Sequence, residues 1–331
     1  MAGDGSRLVF GCMGLGGGWD DAPPDAGDLA TAHAAVDAAL EAGITLFDHA
    51  DIYTRGKAEE VFGRVLAERP GLRDEIELQS KCGIVLAGPD GSGGRYDSSP
   101  AVLTARVEDI LRRLGIERLD ALLIHRPDPL TPMEDVAAAF AGLRDAGKVG
   151  RLGVSNMSAA QMRALQSALG EAPAVNQLEM GLHRRDWLES QVLVNHPEGA
   201  ALSFPEGTIE YCRAEGVELQ AWGALAQGRY SGRSTTPEPG PGAAPRPGSG
   251  AASPEEEASG VVRELADGLG CAPEAVVLGW LMRHPARIRP VIGTTNPARI
   301  AACAGAERAA AAMGAVDWYR LWTAARGRPL P

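Results

Sequence analysis

No apolar run in this sequence reaches the roughly 18 residues that a membrane-crossing helix needs, so its 45% of hydrophobic residues are read as the core of a soluble protein. The opening MAGDGSRLVFG lacks both a basic n-region and an apolar h-region; nothing marks it for secretion, and a cytoplasmic location is expected. Paired cysteines are missing too. Cys12, Cys82, Cys212, Cys271 and Cys303 are odd in number and scattered, with no CxxC and no His at ligand spacing, so they are expected to be reduced thiols. No His/Asp/Glu cluster has metal-ligand spacing, which disfavours metal catalysis. Positive charge is in deficit: 43 acidic against 32 basic residues leave a formal charge of −11, which argues against a nucleic-acid partner.

What the chain does have is a rhythm. Short β-branched or apolar runs alternate with longer amphipathic segments over 331 residues, the imprint of βα units and a parallel sheet. Candidate strands fall at Leu8–Gly11, Thr45–Phe47, Glu77–Ser80, Ala121–Ile124, Arg151–Val154, Ala174–Gln177, Glu218–Ala221 and Pro290–Ile292. Eight such units predict an α/β fold of the (β/α)8 TIM-barrel type as a single domain over residues 1–331. Thr131-Pro132-Met133-Glu134 and Ser158-Ala159-Ala160-Gln161 fit the capping box, and Ser253-Pro254 places proline at a first helical position. Helical spacing over Asp28–Ala42 and Val136–Ala146 stops at Gly43 and Gly147. The acidic Glu255-Glu256-Glu257 favours a helix start through the dipole. Arg233 to Ser253, dominated by Pro, Gly, Ser and Ala, is expected to be a mobile loop.

Barrel enzymes carry their working groups at the carboxyl ends of strands. Four polar residues end or follow predicted strands: Asp48 and Tyr53 in FDHADIY, Lys81 in LQSK and His125 in LLIHRP. A carbonyl reductase needs an acid for the developing alkoxide, and a free tyrosine holds its proton too tightly. A lysine beside the phenol is expected to lower its pKa, with an aspartate keeping that lysine charged and oriented. A histidine at the next strand end would orient the carbonyl.

These four residues, in this order and spacing, resemble the tetrad of the aldo-keto reductase family, and the similarity runs from about Leu8 to Ala304. HRPDPL, NQLEMGLHRRD and DWYRLW look closest to a bacterial branch of general oxidoreductases. The resemblance implies hydride transfer from NADPH to an aldehyde or ketone, with alcohol oxidation as the reverse. It implies that Ser155, Asn156 and Gln177 hold the nicotinamide carboxamide and that Trp222 stacks on its ring. The following Gly223 and Leu225, in AWGALAQGR, belong to the same cofactor-binding stretch. Gly293, Thr294 and Arg299 align with the adenosine-phosphate site. Arg299 matches the family's arginine, Gly293 replaces a lysine, and the helix start with arginine favours NADPH over NADH. Arg126 stands where many members have tryptophan, opening the pocket to polar or anionic substrates. The 233–253 stretch occupies the place of a loop that folds over the cofactor in relatives.

Other features divide between two readings. The run Gly14-Leu15-Gly16-Gly17-Gly18-Trp19 fails the GxGxxG fingerprint at Trp19; it reads either as a flexible turn at the barrel mouth or as a segment setting Trp19 against substrate. His49, His183 and His284 are read as structural, Trp280 as core, and Trp318, Tyr319 and Trp322 as packing against the barrel. The small-molecule carbonyl substrate and the oligomeric state are not specified by the sequence. The rival functions are a nicotinamide-sensing regulatory or scaffold protein on the same barrel, and a phosphate-handling barrel enzyme.

Overall fold

A computed structural model describes residues 6–88, 91–232 and 252–331. Eight parallel strands close into a barrel: β1 (Val9–Gly11), β2 (Leu46–Asp48), β3 (Glu77–Cys82), β4 (Leu119–Ile124), β5 (Val149–Ser155), β6 (Val175–Glu179), β7 (Glu218–Trp222) and β8 (Arg289–Ile292). Each pairs with its sequence neighbours, and Val9↔Val291 with Phe10↔Ile292 closes β1 onto β8. Every predicted strand is present within two residues at either end. These strands are covered outside by helices and filled inside by side chains, so apolar runs such as Ala121–Ile124 in β4 are buried throughout.

The helices start and stop for local reasons. α1 (Ala26–Glu41) begins two residues before its predicted start, because Asp25 accepts from the backbone N–H groups of Gly27 and Asp28, and Asp28 returns the bond. Gly43 and Gly147 do follow their helices in the left-handed conformation, both at φ 73°. α2 (Lys57–Glu68), α3 (Pro100–Leu114) and α4 (Met133–Asp145) follow. The expected capping box at Thr131 does not form. Pro132 is the N-cap of α4 with no side-chain bond, and the Thr131 hydroxyl donates instead to Asp128 at 2.6 Å. Ser158 and Gln161 do form theirs on α5 (Ala159–Leu169), as do Ser253 and Glu256 on α7 (Pro254–Leu269), beyond α6 (Thr208–Glu215). Glu255, Glu256 and Glu257 occupy the first turn of α7, and Pro254 its first position. Apart from Ser253, the predicted Pro/Gly-rich loop lies almost wholly outside the described residues.

α8 (Pro273–Met282) is buried from Ala275 to Met282 and meets α9 (Ala315–Arg326) through Trp280 and Trp318. Trp280 and Trp318 stack at 5.4 Å and exchange two bonds, each indole N–H donating to the other's carbonyl, at 3.2 and 2.9 Å. The C-terminal aromatics therefore pack against the barrel wall, with Tyr319 turned half into solvent. A short hairpin, Ile84–Val85 with Arg95–Tyr96, rises beyond β3, and the segment after β6 carries a one-turn helix, Asp186–Glu189; neither was read from the sequence. Among the described residues no single helix is long and apolar enough to cross a membrane. All five cysteines are free thiols, four of them buried.

Candidate active site

Asp48 is the last residue of β2 and Lys81 the fifth of β3, and the pairing Asp48↔Gln79 sets the two strand ends side by side. The Lys81 ammonium donates to Asp48 Oδ1 at 2.6 Å and to the His49 carbonyl at 2.8 Å. Both side chains are at most 2% exposed. Desolvation pulls the Lys81 pKa down, but Asp48 and Tyr53 outweigh it and the net shift is upward, so the ammonium stays charged.

Tyr53 stands over this pair, with Lys81 Nζ 5.0 Å from its ring centroid. It opens a turn in which Thr54, Arg55 and Gly56 all have positive φ, at 46°, 60° and 90°, a strained arrangement that needs outside support. The glycine run provides that support. Thr54 donates to the Leu15 carbonyl at 3.0 Å, and Gly16 lies so near α2 that a Cβ there would sit 2.6 Å from the Lys57 carbonyl carbon. The run is thus a packed brace under Tyr53 rather than a loose turn. Trp19 is 49% exposed on the rim, tied in by its carbonyl, which accepts from Arg55 Nε at 3.1 Å.

One expectation is corrected. Burial pushes the Tyr53 phenol above its ordinary value; Lys81 pulls it down and Asp48 pushes it up, and burial wins. Tyr53 therefore holds its proton firmly at neutral pH. His125 follows β4 directly and meets Tyr53 edge-on, with ring centroids 6.1 Å apart at 82°. Its Nδ1 is buried without a partner, and desolvation, helped by Lys81 and Arg126, drops its pKa to about 3, so the ring is neutral.

A second group of side chains gathers at the ends of β5, β6 and β7. Ser155 donates to the Gln177 carbonyl at 2.8 Å and accepts from the Asn156 amide at 2.7 Å. Asn156, at φ 58°, accepts from Trp222 Nε1 at 3.1 Å and donates to the His125 carbonyl at 3.4 Å. These bonds join the second group to the first. Gly223, at φ 70°, and Leu225 lead from Trp222 into a turn at Ala226–Gly228. Beyond β8, Asn296 caps Pro297–Cys303 by accepting from the Arg299 N–H, and Thr294 accepts from Asn296 N at 3.2 Å. The Arg299 guanidinium has no partner among the described residues. A Cβ at Gly293 would meet nothing within 4 Å, so the missing lysine is no steric requirement. Arg126 is half-buried and lines a cavity of about 370 Å³ together with Asn156 and Trp222.

Gln79 and Gln220 were missed. Gln79 donates to Asp48 Oδ1 at 2.6 Å and to Gln220 at 2.7 Å, while Gln177 donates to Gln220 at 2.9 Å. β3 and β7 are not neighbours in the sheet, so the bond between Gln79 and Gln220 crosses the barrel interior. The signal was present: a glutamine two residues into each of two buried strands, after Glu-Leu in both ELQSK and ELQAW.

The model of the Aldo/keto reductase family matches residues 7–311. A 6-dehydroglucose reductase of Agrobacterium fabrum is 34% identical over 333 residues, spanning 98% of this chain and 95% of that protein. An oxidoreductase of Escherichia coli, YdhF, is 33% identical over 88% of this chain and 86% of its own. Among solved structures, the glycerol dehydrogenase AKR11B4 from Gluconobacter oxydans superposes with a TM-score of 0.76 at 25% identity, covering 98% of this chain and 94% of that one. An aldo-keto reductase from Klebsiella pneumoniae in complex with NADPH shares the fold, with a TM-score of 0.70 at 23% identity over 99% and 93% of the two chains. With the match extending over nearly the whole barrel, the chain belongs to the aldo/keto reductase family.

Proposed function

We propose that the chain reduces an aldehyde or ketone with NADPH, Tyr53 acting as the acid. The observation that carries this reading is the buried stack in which Asp48 holds Lys81 and Lys81 lies beneath the Tyr53 ring. Ser155, Asn156 and Gln177 offer hydroxyl and amide groups suited to a carboxamide, Trp222 offers an indole face, and the unpaired Arg299 suits a ribose phosphate. When bound there, NADPH supplies the hydride.

As the carbonyl oxygen gains negative charge, Tyr53 gives it a proton and Lys81 stabilises the phenolate left behind. Asp48 keeps Lys81 charged and aimed. Neutral His125 donates a hydrogen bond to the same oxygen and fixes the carbonyl's orientation. The test is titration of the purified protein with NADPH and with NADH, followed by tryptophan fluorescence, and then NADPH oxidation against a panel of aldehydes and ketones that includes sugar-derived aldehydes. Binding with turnover supports the reading; absence of nicotinamide binding sinks it.

A further inference from the structure

The cavity beside the candidate site is walled partly by apolar side chains, Trp187, Phe204 and Trp222 among them, and contains four charged groups: Arg126, Glu179, Arg184 and Asp186. Three of these are already engaged. Glu179 is held by Arg184 at 3.0 Å and by His183 at 3.4 Å, and Asp186 accepts from the Ser203 backbone N–H and hydroxyl at 3.1 and 2.7 Å. Arg126 alone has no hydrogen bond or ion pair among the described residues. Its half-buried guanidinium lines the cavity with none of its five donors bonded to protein among the described residues, in a molecule whose formal charge is −11. It directly follows His125, the residue placed to orient the carbonyl.

We propose that the substrate of this site carries an oxyanion, a carboxylate or phosphate, on the chain leading away from its carbonyl, and that Arg126 binds it. The proposal rests on the carbonyl-reductase reading above. Its physical basis is the fit of the planar guanidinium to two oxygens at once. The acids in the cavity do not compete, because each already has a donor.

Two matched pairs of probes test this with NADPH: succinate semialdehyde against its methyl ester, and glyceraldehyde 3-phosphate against glyceraldehyde. The expected result is a kcat/KM higher by about 10- to 100-fold for the charged member of at least one pair, the range of a charge-assisted contact, carried mainly by KM. Whichever pair shows the preference identifies carboxylate or phosphate as the preferred group. Arg126→Leu should bring that ratio close to one and Arg126→Lys should restore part of it, each read on protein whose urea midpoint matches the wild type and so is folded. Equal kcat/KM within both pairs, or a preference that survives Arg126→Leu, overturns the proposal while leaving the reductase reading standing. If Arg126→Leu weakened NADPH binding and left the ratio unchanged, the guanidinium would belong to the cofactor's phosphates and the proposal would fail. Turnover of no carbonyl at all, charged or neutral, would bring down the reductase reading and this proposal together.

Discussion

Gln79 donates to the same carboxylate oxygen of Asp48 that receives the Lys81 ammonium, each at 2.6 Å. One oxygen thus fixes both the cation under Tyr53 and the end of an amide chain that crosses the barrel to Gln220 and Gln177. Gln79→Leu removes the bonds to Asp48 and Gln220, leaving Gln220 those to Gln177 and Glu218 and loosening Asp48, so a stability loss of about 1–3 kcal/mol is expected, seen as a lower urea midpoint. A role confined to packing would stop there. If Gln79 also aims Asp48, kcat should fall and Gln79→Glu, which sets a second carboxylate against Asp48, should be worse than Gln79→Leu. Equal kcat in wild type and Gln79→Leu would limit Gln79 to structure.

The Asp48–Lys81 pair is buried on both sides, so its partners cannot be removed singly without leaving an uncompensated charge. Asp48→Asn and Lys81→Met should each cost about 3–5 kcal/mol of stability. The double variant should recover much of that loss, since it removes both charges, yet turnover should stay as low as in Lys81→Met, because the phenolate loses its stabilising cation. Stability measured by urea and activity measured on one aldehyde would then part ways. Additive stability losses would show that the two side chains do not act as a pair.

The barrel was legible because period and composition alternate eight times, and the meeting of the four strand-end residues because a barrel gathers the carboxyl ends of its strands at one mouth. What escaped depended on contacts between distant segments. The capping-box spacing at Thr131 fits the pattern, but Asp128 three residues earlier captures the hydroxyl. The glycine run gives no sign in itself that Gly16 must clear the Lys57 backbone and brace Tyr53. The direction of the Tyr53 shift was misjudged because Lys81 is visible in sequence and burial is not. Gln79 and Gln220 lie 141 residues apart, and only barrel closure brings them into contact.

The upward shift of Tyr53 has a directional consequence. Reduction needs the protonated phenol, which persists to alkaline pH, so kcat/KM for carbonyl reduction should have no alkaline limb from Tyr53 below about pH 9. Alcohol oxidation needs the phenolate and should rise steadily toward high pH. Tyr53→Phe should abolish most turnover in both directions while keeping NADPH affinity close to wild type. A reduction rate falling with a midpoint near pH 7 would contradict the burial argument, and full activity in Tyr53→Phe would remove tyrosine from the chemistry.

The buried histidines should make the fold acid-sensitive. Desolvation lowers His49 to about 3, His125 to about 3 and His284 to about 4; His49 has neither ring nitrogen partnered and packs edge-on against Phe62 at 4.7 Å. In the unfolded chain each would titrate near the ordinary histidine value, so between there and about pH 4 the unfolded state binds more protons and stability falls as pH falls. Asp51 works in the opposite direction. Its buried carboxyl is pushed up to about 7, so the folded state holds an extra proton from about pH 7 down to the usual aspartate range, which favours folding as pH drops. Three protons against one leave a net of about two, a slope of about 3 kcal/mol per pH unit at steepest. Urea unfolding at pH 7, 6 and 5 measures it. His49→Leu should flatten the slope by about 1.4 kcal/mol per unit and Asp51→Asn should steepen it by a similar amount, opposite signs that a general loss of packing would not produce. A stability independent of pH from 7 to 5, with both variants parallel to wild type, would show that these groups do not titrate differently in the folded and unfolded chain.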